Sequence, residues 1–193
     1  MKIKKDMKIT FNSPAVLTFA CICLVSLLLG MITSGASTKA VFMTYRSSGT
    51  NPMTYLRLFT HVFGHSGWAH FIGNMSYILL LGPMLEEKHG TSRIVEIILV
   101  TAFVTGLINS VFFPRVALCG ASGVVFAFIL LTSFTNFKQG EIPLTFILVA
   151  VIYLGQQIFE GLTIRDNVSN LSHIIGGIVG AVCGYYLNKR AKK

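Results

Sequence analysis

Two residues with the chemistry of a hydrolase stand at the start of two apolar segments. Ser122 lies in the run Cys119-Gly120-Ala121-Ser122-Gly123, and His173 follows 51 residues later. Polar and ionisable side chains are costly inside a membrane span, so their presence there points to function. Because an imidazole can take the proton of a serine hydroxyl, the pair predicts the Ser122-His173 dyad of an intramembrane serine protease.

Further groups can stabilise the negative charge that such a reaction creates. Ser122 is expected in the first turn of its helix, where unpaired backbone amides and the helix dipole favour a developing oxyanion. His70 and Asn74 are spaced i, i+4, so they share one helix face. Both side chains can then donate hydrogen bonds to the same point.

The predicted base, His173, has no Asp or Glu placed to orient it. Asp166 and Glu160 are the nearest acids, so Asn170, one turn before the histidine, is the expected orienting partner. Phe126 lies at i+4 from Ser122 and can pack flat against the imidazole.

A glycine stripe is expected to hold these two segments together. Gly176, Gly180 and Gly184 recur at every fourth residue, and Gly123 and Ala127 have the same spacing. Small residues allow close approach of helix backbones in membranes. The contact would bring a short serine side chain within reach of the imidazole.

The composition is that of a membrane protein. Only 12% of the 193 residues are charged and 53% are hydrophobic, and the mean hydropathy is +0.69. Against a window of about 17 to 25 apolar residues, six stretches qualify: 14–32, 69–85, 94–113, 120–137, 142–159 and 171–187. The sequence therefore predicts an all-α membrane protein, a bundle of six transmembrane helices.

Basic residues are distributed unevenly around these spans. Eleven lie in the tails and in the second and fourth connections: Lys2, Lys4, Lys5, Lys8, Lys88, Arg93, Lys138, Lys189, Arg190, Lys192 and Lys193. Five lie on the other side: Lys39, Arg46, Arg57, Arg115 and Arg165. The positive-inside rule then places both termini in the cytoplasm. The net charge of +9 is explained by these basic residues at helix ends and tails, so it does not indicate a nucleic-acid-binding protein.

With this topology the second, fourth and sixth spans run from outside to inside, so their first turns share one layer of the membrane. That layer contains His65, His70, Asn74, Ser122 and His173. The domain is expected over 14–188, between basic tails 1–13 and 189–193, with an interfacial first loop at 33–68. The first span is expected to be retained, with signal-peptide cleavage the lesser alternative.

Two other sets of residues are expected to have ordinary roles. The four cysteines, Cys21, Cys23, Cys119 and Cys183, lack zinc-finger spacing and are interpreted as small core residues. The charged group of Glu86, Glu87, Lys88 and Arg93 is expected to form a solvated turn between two spans.

The motifs together resemble those of the rhomboid family of intramembrane serine proteases. The similarity covers residues 57–187 and rests on His65-x4-His70-x3-Asn74, Gly120-Ala121-Ser122-Gly123 and His173-x2-Gly176-x3-Gly180. It implies that Ser122 is the nucleophile and His173 the base. It also implies that His70, Asn74 and Gly120 form the oxyanion and substrate-stabilising group, with His65 a structural member of the network.

The resemblance further implies a location in a bacterial plasma membrane, substrates that are single-span membrane proteins, and a fifth helix that acts as a lateral gate. Arg57 and Glu86 occupy positions where the family often has Arg and Glu. Leu56 stands where Trp is frequent, and Phe126 stands where Tyr is frequent, which keeps the ring and loses a hydroxyl.

Two rival interpretations use the same residues. A metal-handling protein or transporter would use His65, His70 and His173 as ligands, which leaves the motif around Ser122 unexplained. A non-catalytic rhomboid-like protein that binds membrane clients would make the dyad superfluous. The expectation is therefore an enzyme without metal or cofactor, whose partners are transmembrane substrates and lipids.

Overall fold

The computed structural model describes residues 9–134, six positions between 144 and 155, and residues 167–190, with the side chains of the last helix described for 174–186. Its helices are α1 (Pro14–Ile32), α2 (Ala36–Val41), α3 (Pro52–Thr60), a 3-10 turn (His61–Phe63), α4 (Trp68–His89), α5 (Thr91–Phe112), α6 (Ser122–Phe134) and α7 (Asn167–Arg190). Over these residues the fold is all-α, apart from one antiparallel bridge between Thr44 and Leu118.

The helices follow the predicted apolar stretches, with differences at their ends. α1 has the predicted bounds, whereas α4 continues past the predicted residue 85 and α7 begins before residue 171. Within the described part of the chain, α1 and α5 are long and apolar enough to cross a membrane, and 122–133 and 174–186 are shorter apolar segments. Most of the predicted span 142–159 lies outside the described residues, so the count of six spans stays a prediction.

α6 lies at the centre of the described bundle. Its residues Val124, Ala127, Phe128 and Leu131 have no exposed surface, and the helix packs against α4, α5 and α7. A helix that is apolar on every side is normally surrounded by other helices. α1, α4 and α5 instead present many large apolar side chains outward. The residue that begins α6, Ser122, is thus attached to the most enclosed element.

Glu86 joins three helices at the other end of the molecule. Its carboxylate accepts hydrogen bonds from the amides of Ala15 (2.9 Å) and Val16 (3.0 Å) and from the hydroxyl of Thr91 (2.8 Å). The N-cap residue of α1, Ser13, makes no side-chain cap, so Glu86 satisfies these first-turn amides instead. Glu86 is only 5% exposed. The expectation that it belongs to a solvated turn is therefore wrong.

The connection between α1 and α4 packs into the bundle. Asn51 caps α3 by accepting from the amide of Met53, and the helix leads directly into the 3-10 turn. There His61 is buried, with Nδ1 3.2 Å from the carbonyl of Arg57 and Nε2 3.3 Å from the hydroxyl of Thr105 on α5. The turn is thereby fixed against α5, just before the chain reaches His65.

Candidate active site

Ser122 is the first residue of α6 and is half-buried. The amide of Val125 donates to the carbonyl of Ala121 at 2.9 Å, which is the first bond of the helix. The amides of residues 122–124 precede that bond, so they have no acceptor within α6. Ser122 therefore lies at a helix N-terminus, as predicted, where backbone donors and the dipole favour an anion.

The turn before Ser122 is held by backbone bonds to the first connection. Thr44 and Leu118 exchange two hydrogen bonds of 2.9 and 2.8 Å, and the amide of Gly120 donates to the carbonyl of His61 at 2.9 Å. Gly120 has a φ of +131°, a conformation that favours glycine. The sequence did not reveal this support, because single backbone bridges have no side-chain signature.

Gly120 also lies against the two predicted oxyanion donors. A Cβ at this position would be 2.7 Å from both Cε1 and Nε2 of His70 and 3.8 Å from Nδ2 of Asn74. Any larger residue would displace the imidazole. The structure thus brings His70 and Asn74 of α4 to the turn that precedes Ser122.

His65 orients Asn74 from the segment before α4. Its Nδ1 lies 3.1 Å from the carbonyl of Phe63, and its Nε2 lies 3.2 Å from Nδ2 of Asn74. Burial lowers the pKa of His65 from 6.5 to about 4; the nearby His70 adds to the shift, and the bond to the Phe63 carbonyl opposes it. The ring is therefore neutral at neutral pH, with a proton on Nδ1 and an acceptor at Nε2.

This geometry weighs against the metal interpretation for His65, because both of its ring nitrogens already have partners. Among the residues that the structure describes, no three His, Cys, Asp or Glu side chains form a group that could hold a metal ion. The side chain of His173, the third proposed ligand, lies outside that part of the chain.

A residue that the sequence analysis missed contacts His70. The hydroxyl of Ser66 lies 3.2 Å from Nδ1 of the imidazole. The spacing i, i+4 was a possible signal, but serine is too common near helix starts for that spacing to stand out.

The glycine contact predicted between α6 and α7 is present. A Cβ on Gly176 would lie 2.1 Å from the carbonyl oxygen of Gly123, and one on Gly180 would lie 2.2 Å from that of Ala127. The backbones of the two helices therefore touch. His173 and Asn170 belong to the first turns of α7, and their side chains lie outside the described residues.

Three further positions singled out in the sequence are described by the structure. Phe126 is buried on α6. Its expected contact with the His173 ring stays a prediction, because the side chain of His173 lies outside the described residues. Arg57 is buried with its guanidinium 4.5 Å from the centre of the Tyr45 ring. Leu56 is exposed.

Comparison with known proteins finds several relatives of this chain. The chain is 29% identical over 156 residues to Rhomboid-related protein 2 of Mus musculus, covering 70% of this chain and 51% of the relative. It is 32% identical over 138 residues to Rhomboid-related protein 1 of Caenorhabditis elegans, covering 67% and 39%. To Rhomboid protease GlpG of Yersinia pestis (strain Pestoides F) it is 25% identical over 180 residues, covering 90% and 62%. The chain thus spans about 40 to 60% of the length of these relatives.

The model of the Rhomboid domain matches residues 52–190, and the chain therefore belongs to the rhomboid family of integral membrane proteins.

Proposed function

We propose that this chain is an intramembrane serine protease in which Ser122 is the nucleophile and His173 the base. One observation carries the proposal: the turn that ends in Ser122 lies against His70 and Asn74 through Gly120. The two side chains proposed as oxyanion donors thus lie beside the turn that leads to Ser122 and the N-terminus of α6. The similarity to a protein named as a protease supports the same activity.

The position of His173 in α7 supports its role as the base. It precedes Gly176 by three residues, so helical periodicity places both on one face of α7. Gly176 contacts Gly123, the residue after Ser122. A residue three positions before Gly176 is therefore expected on the face of α7 that meets the start of α6, which supports His173 as the base.

The reaction would proceed by acyl transfer. His173 takes the proton of the Ser122 hydroxyl as the Ser122 oxygen attacks the scissile carbonyl. His173 then gives this proton to the leaving amine. The negative oxygen of the intermediate accepts bonds from His70, Asn74 and the first amides of α6. Water then attacks the acyl-enzyme and releases the second product, which restores the serine.

The proposed substrates are membrane proteins with a single span. A transmembrane helix satisfies its carbonyls internally, so a segment must unwind before Ser122 can reach one. Segments that leave the helical state easily are therefore preferred. We include in the proposal six spans, both termini in the cytoplasm and a plasma-membrane location in a bacterium.

Labelling with a fluorophosphonate tests the nucleophile. The purified protein should react at Ser122, and Ser122→Ala and His173→Ala should abolish both labelling and cleavage of a transmembrane substrate. The double variant should be no worse than either single one, because the two residues act as one unit. Ser133→Ala is the matched control, since Ser133 lies on the same helix and its hydroxyl, among the residues that the structure describes, donates to the carbonyl of Ile129 alone.

Three outcomes would oppose the proposal. Cleavage by Ser122→Ala would exclude the serine mechanism. Activity lost on chelation and restored by zinc would favour a metal enzyme. A folded parent protein that binds transmembrane clients, yet is neither labelled nor active, would be a non-catalytic member of the family.

A further inference from the structure

Two consecutive residues each bond one of the proposed oxyanion donors. Nε2 of His65 lies 3.2 Å from Nδ2 of Asn74, and the hydroxyl of Ser66 lies 3.2 Å from Nδ1 of His70. The two imidazole rings are themselves in edge contact, with centroids 5.1 Å apart. We call residues 63–67, which precede α4, the orienting turn.

The position of the proton on His70 matters for an oxyanion. A neutral imidazole carries one N–H, on either Nδ1 or Nε2. The Nε2 side faces Gly120 and the start of α6, whereas Nδ1 faces Ser66. A bare lone pair at Nε2 would repel the negative oxygen, so only the tautomer protonated on Nε2 can stabilise it. In that tautomer Nδ1 is an acceptor, which suits a serine hydroxyl donor.

His65, the other bonding residue of the orienting turn, fixes the amide of Asn74. The carbonyl of Phe63 can only accept, so Nδ1 of His65 carries the proton and Nε2 is left as an acceptor. One N–H of Asn74 must then point to His65. The nitrogen of the Asn74 amide, and not its oxygen, therefore faces His65. The second N–H of the same nitrogen, Nδ2, remains available to the oxyanion, and Nδ2 lies 3.8 Å from where a Cβ of residue 120 would be.

We propose that Ser66 is a positioning residue, which donates its hydroxyl proton to Nδ1 of His70 and so holds that ring in the Nε2-protonated tautomer and in the orientation that faces the oxyanion. His65 positions the amide of Asn74 in turn, by accepting one of its N–H groups at Nε2. The proposal rests on the proposed protease function, because it assigns the turn a role in stabilising that reaction's intermediate.

The size of the effect follows from the surroundings of Ser66. The residue is exposed and lines a cavity of about 400 Å³ between the end of α1, α2 and the orienting turn. Water in that cavity can partly replace the hydroxyl as a donor to Nδ1. We therefore expect Ser66→Ala to lower kcat by about two- to tenfold, the range of one neutral hydrogen bond, with KM unchanged.

The matched variants are Ser66→Ala, Ser66→Thr and Ser76→Ala. Ser66→Thr keeps the hydroxyl and should restore kcat. Ser76→Ala is the control, because Ser76 is an exposed serine of α4 whose hydroxyl, within the described part of the chain, donates to the carbonyl of Ile72 alone. Each protein is assayed for kcat and KM with one transmembrane substrate in vesicles of the same composition.

A spectroscopic measurement separates positioning from general loss of structure. Nitrogen-15 shifts of labelled histidine rings distinguish the protonated from the bare nitrogen, and a His70→Gln variant assigns the signals. The parent should show the proton of His70 on Nε2, and Ser66→Ala should show a mixture of tautomers or a changed Nδ1 shift. The proposal is overturned if the parent carries the proton on Nδ1, or if Ser66→Ala keeps either the parent's kcat or the parent's His70 spectrum.

The nitrogen-15 spectra can also be recorded for the Ser122→Ala protein, because the measurement does not require an active enzyme. A parent that fails to react with fluorophosphonate would refute the protease function, and with it any catalytic role for Ser66. Labelling of the parent together with an unchanged His70 spectrum in Ser66→Ala would refute the positioning role alone.

Discussion

The side of the proposed site built by α6 and α7 is held by contact between backbones, whereas the side built by α4 and the orienting turn is held by hydrogen bonds between side chains. At Gly176 and Gly180 there is no room for a single added carbon atom. At His70 and Asn74 each side chain has a polar partner, Ser66 or His65.

This difference predicts opposite sensitivities. The glycine side should respond to size and hardly to polarity, because backbone overlap is the cost of any substitution there. The hydrogen-bonded side should respond to donors and acceptors even when size is kept, because a buried polar group without its partner is costly.

The largest effect in this comparison is expected on the hydrogen-bonded side, from Asn74→Asp. The new side chain has nearly the same shape but only acceptors, so it repels both the oxyanion and Nε2 of His65. We expect kcat to fall by roughly tens- to a thousandfold, the cost of one lost oxyanion donor, and His70→Ala to fall within the same range. Steady-state assays should show substrate affinity nearly unchanged; weaker affinity at unchanged kcat would show that these residues position substrate instead.

A smaller loss is expected on the glycine side, where one helix offers a matched pair. A Cβ at Gly180 would overlap the backbone of Ala127 at 2.2 Å, whereas a Cβ at Gly177 would meet only the end of the Leu130 side chain at 3.0 Å. Gly180→Ala should therefore separate α6 from α7 and carry His173 away from Ser122, with Gly180→Val more severe. A shift near 1 Å can cost about a hundredfold in rate.

Gly177→Ala should cost much less than Gly180→Ala, because the Leu130 side chain can move. Fluorophosphonate labelling rates and melting temperatures in detergent measure both effects. Equal behaviour of the two alanine variants would show that backbone contact does not hold this side of the site.

The elements that could be predicted are those with a repeated or rare pattern. α1 followed from an uninterrupted apolar run, and the contact between α6 and α7 followed from glycines at every fourth residue. Helix ends were less predictable, because Glu86 and the residues that begin α7 are polar and still helical. Hydropathy marks where apolar residues stop, whereas a helix continues for as long as its amides and carbonyls find partners.

Single partners distant in the chain could not be predicted. Glu86 was expected in solvent because its neighbours are charged, yet it bonds amides about 70 residues away in the sequence. Likewise, nothing in the residues around Leu118 signals a bridge to Thr44. A one-dimensional pattern reports the face that a helix buries, and it does not report which atoms meet there.

A third prediction asks whether the site's stability depends on hydrogen bonds outside it. Glu86→Ala leaves two amides of α1 without acceptors, and bonds to a charged group are worth about 1.5 to 3 kcal/mol each. We expect the free energy of unfolding to fall by about 3 to 6 kcal/mol, with kcat of the folded protein little changed. Glu87→Ala, at the exposed neighbouring position, is the control. A large fall in kcat at unchanged stability would contradict a purely structural role.

The smallest expected effect concerns the pH dependence of stability and involves buried histidines of the connection that precedes α4. Burial lowers the pKa of His61 from 6.5 to about 4, and its backbone bonds oppose the shift. Between these pH values the unfolded chain binds a proton that the folded chain excludes, so stability is complete above about pH 6.5 and declines as the pH falls towards 4. His61→Gln, which has no titrating group, should make this decline shallower when melting temperatures of variant and parent are compared from pH 7 to pH 4.5. His65, whose pKa is also lowered to about 4, should account for a comparable part of the decline in both proteins. Gly177→Ala should keep the slope of the parent, since it lies in the region held by backbone contact. An unchanged slope in His61→Gln would show that the acid sensitivity arises elsewhere.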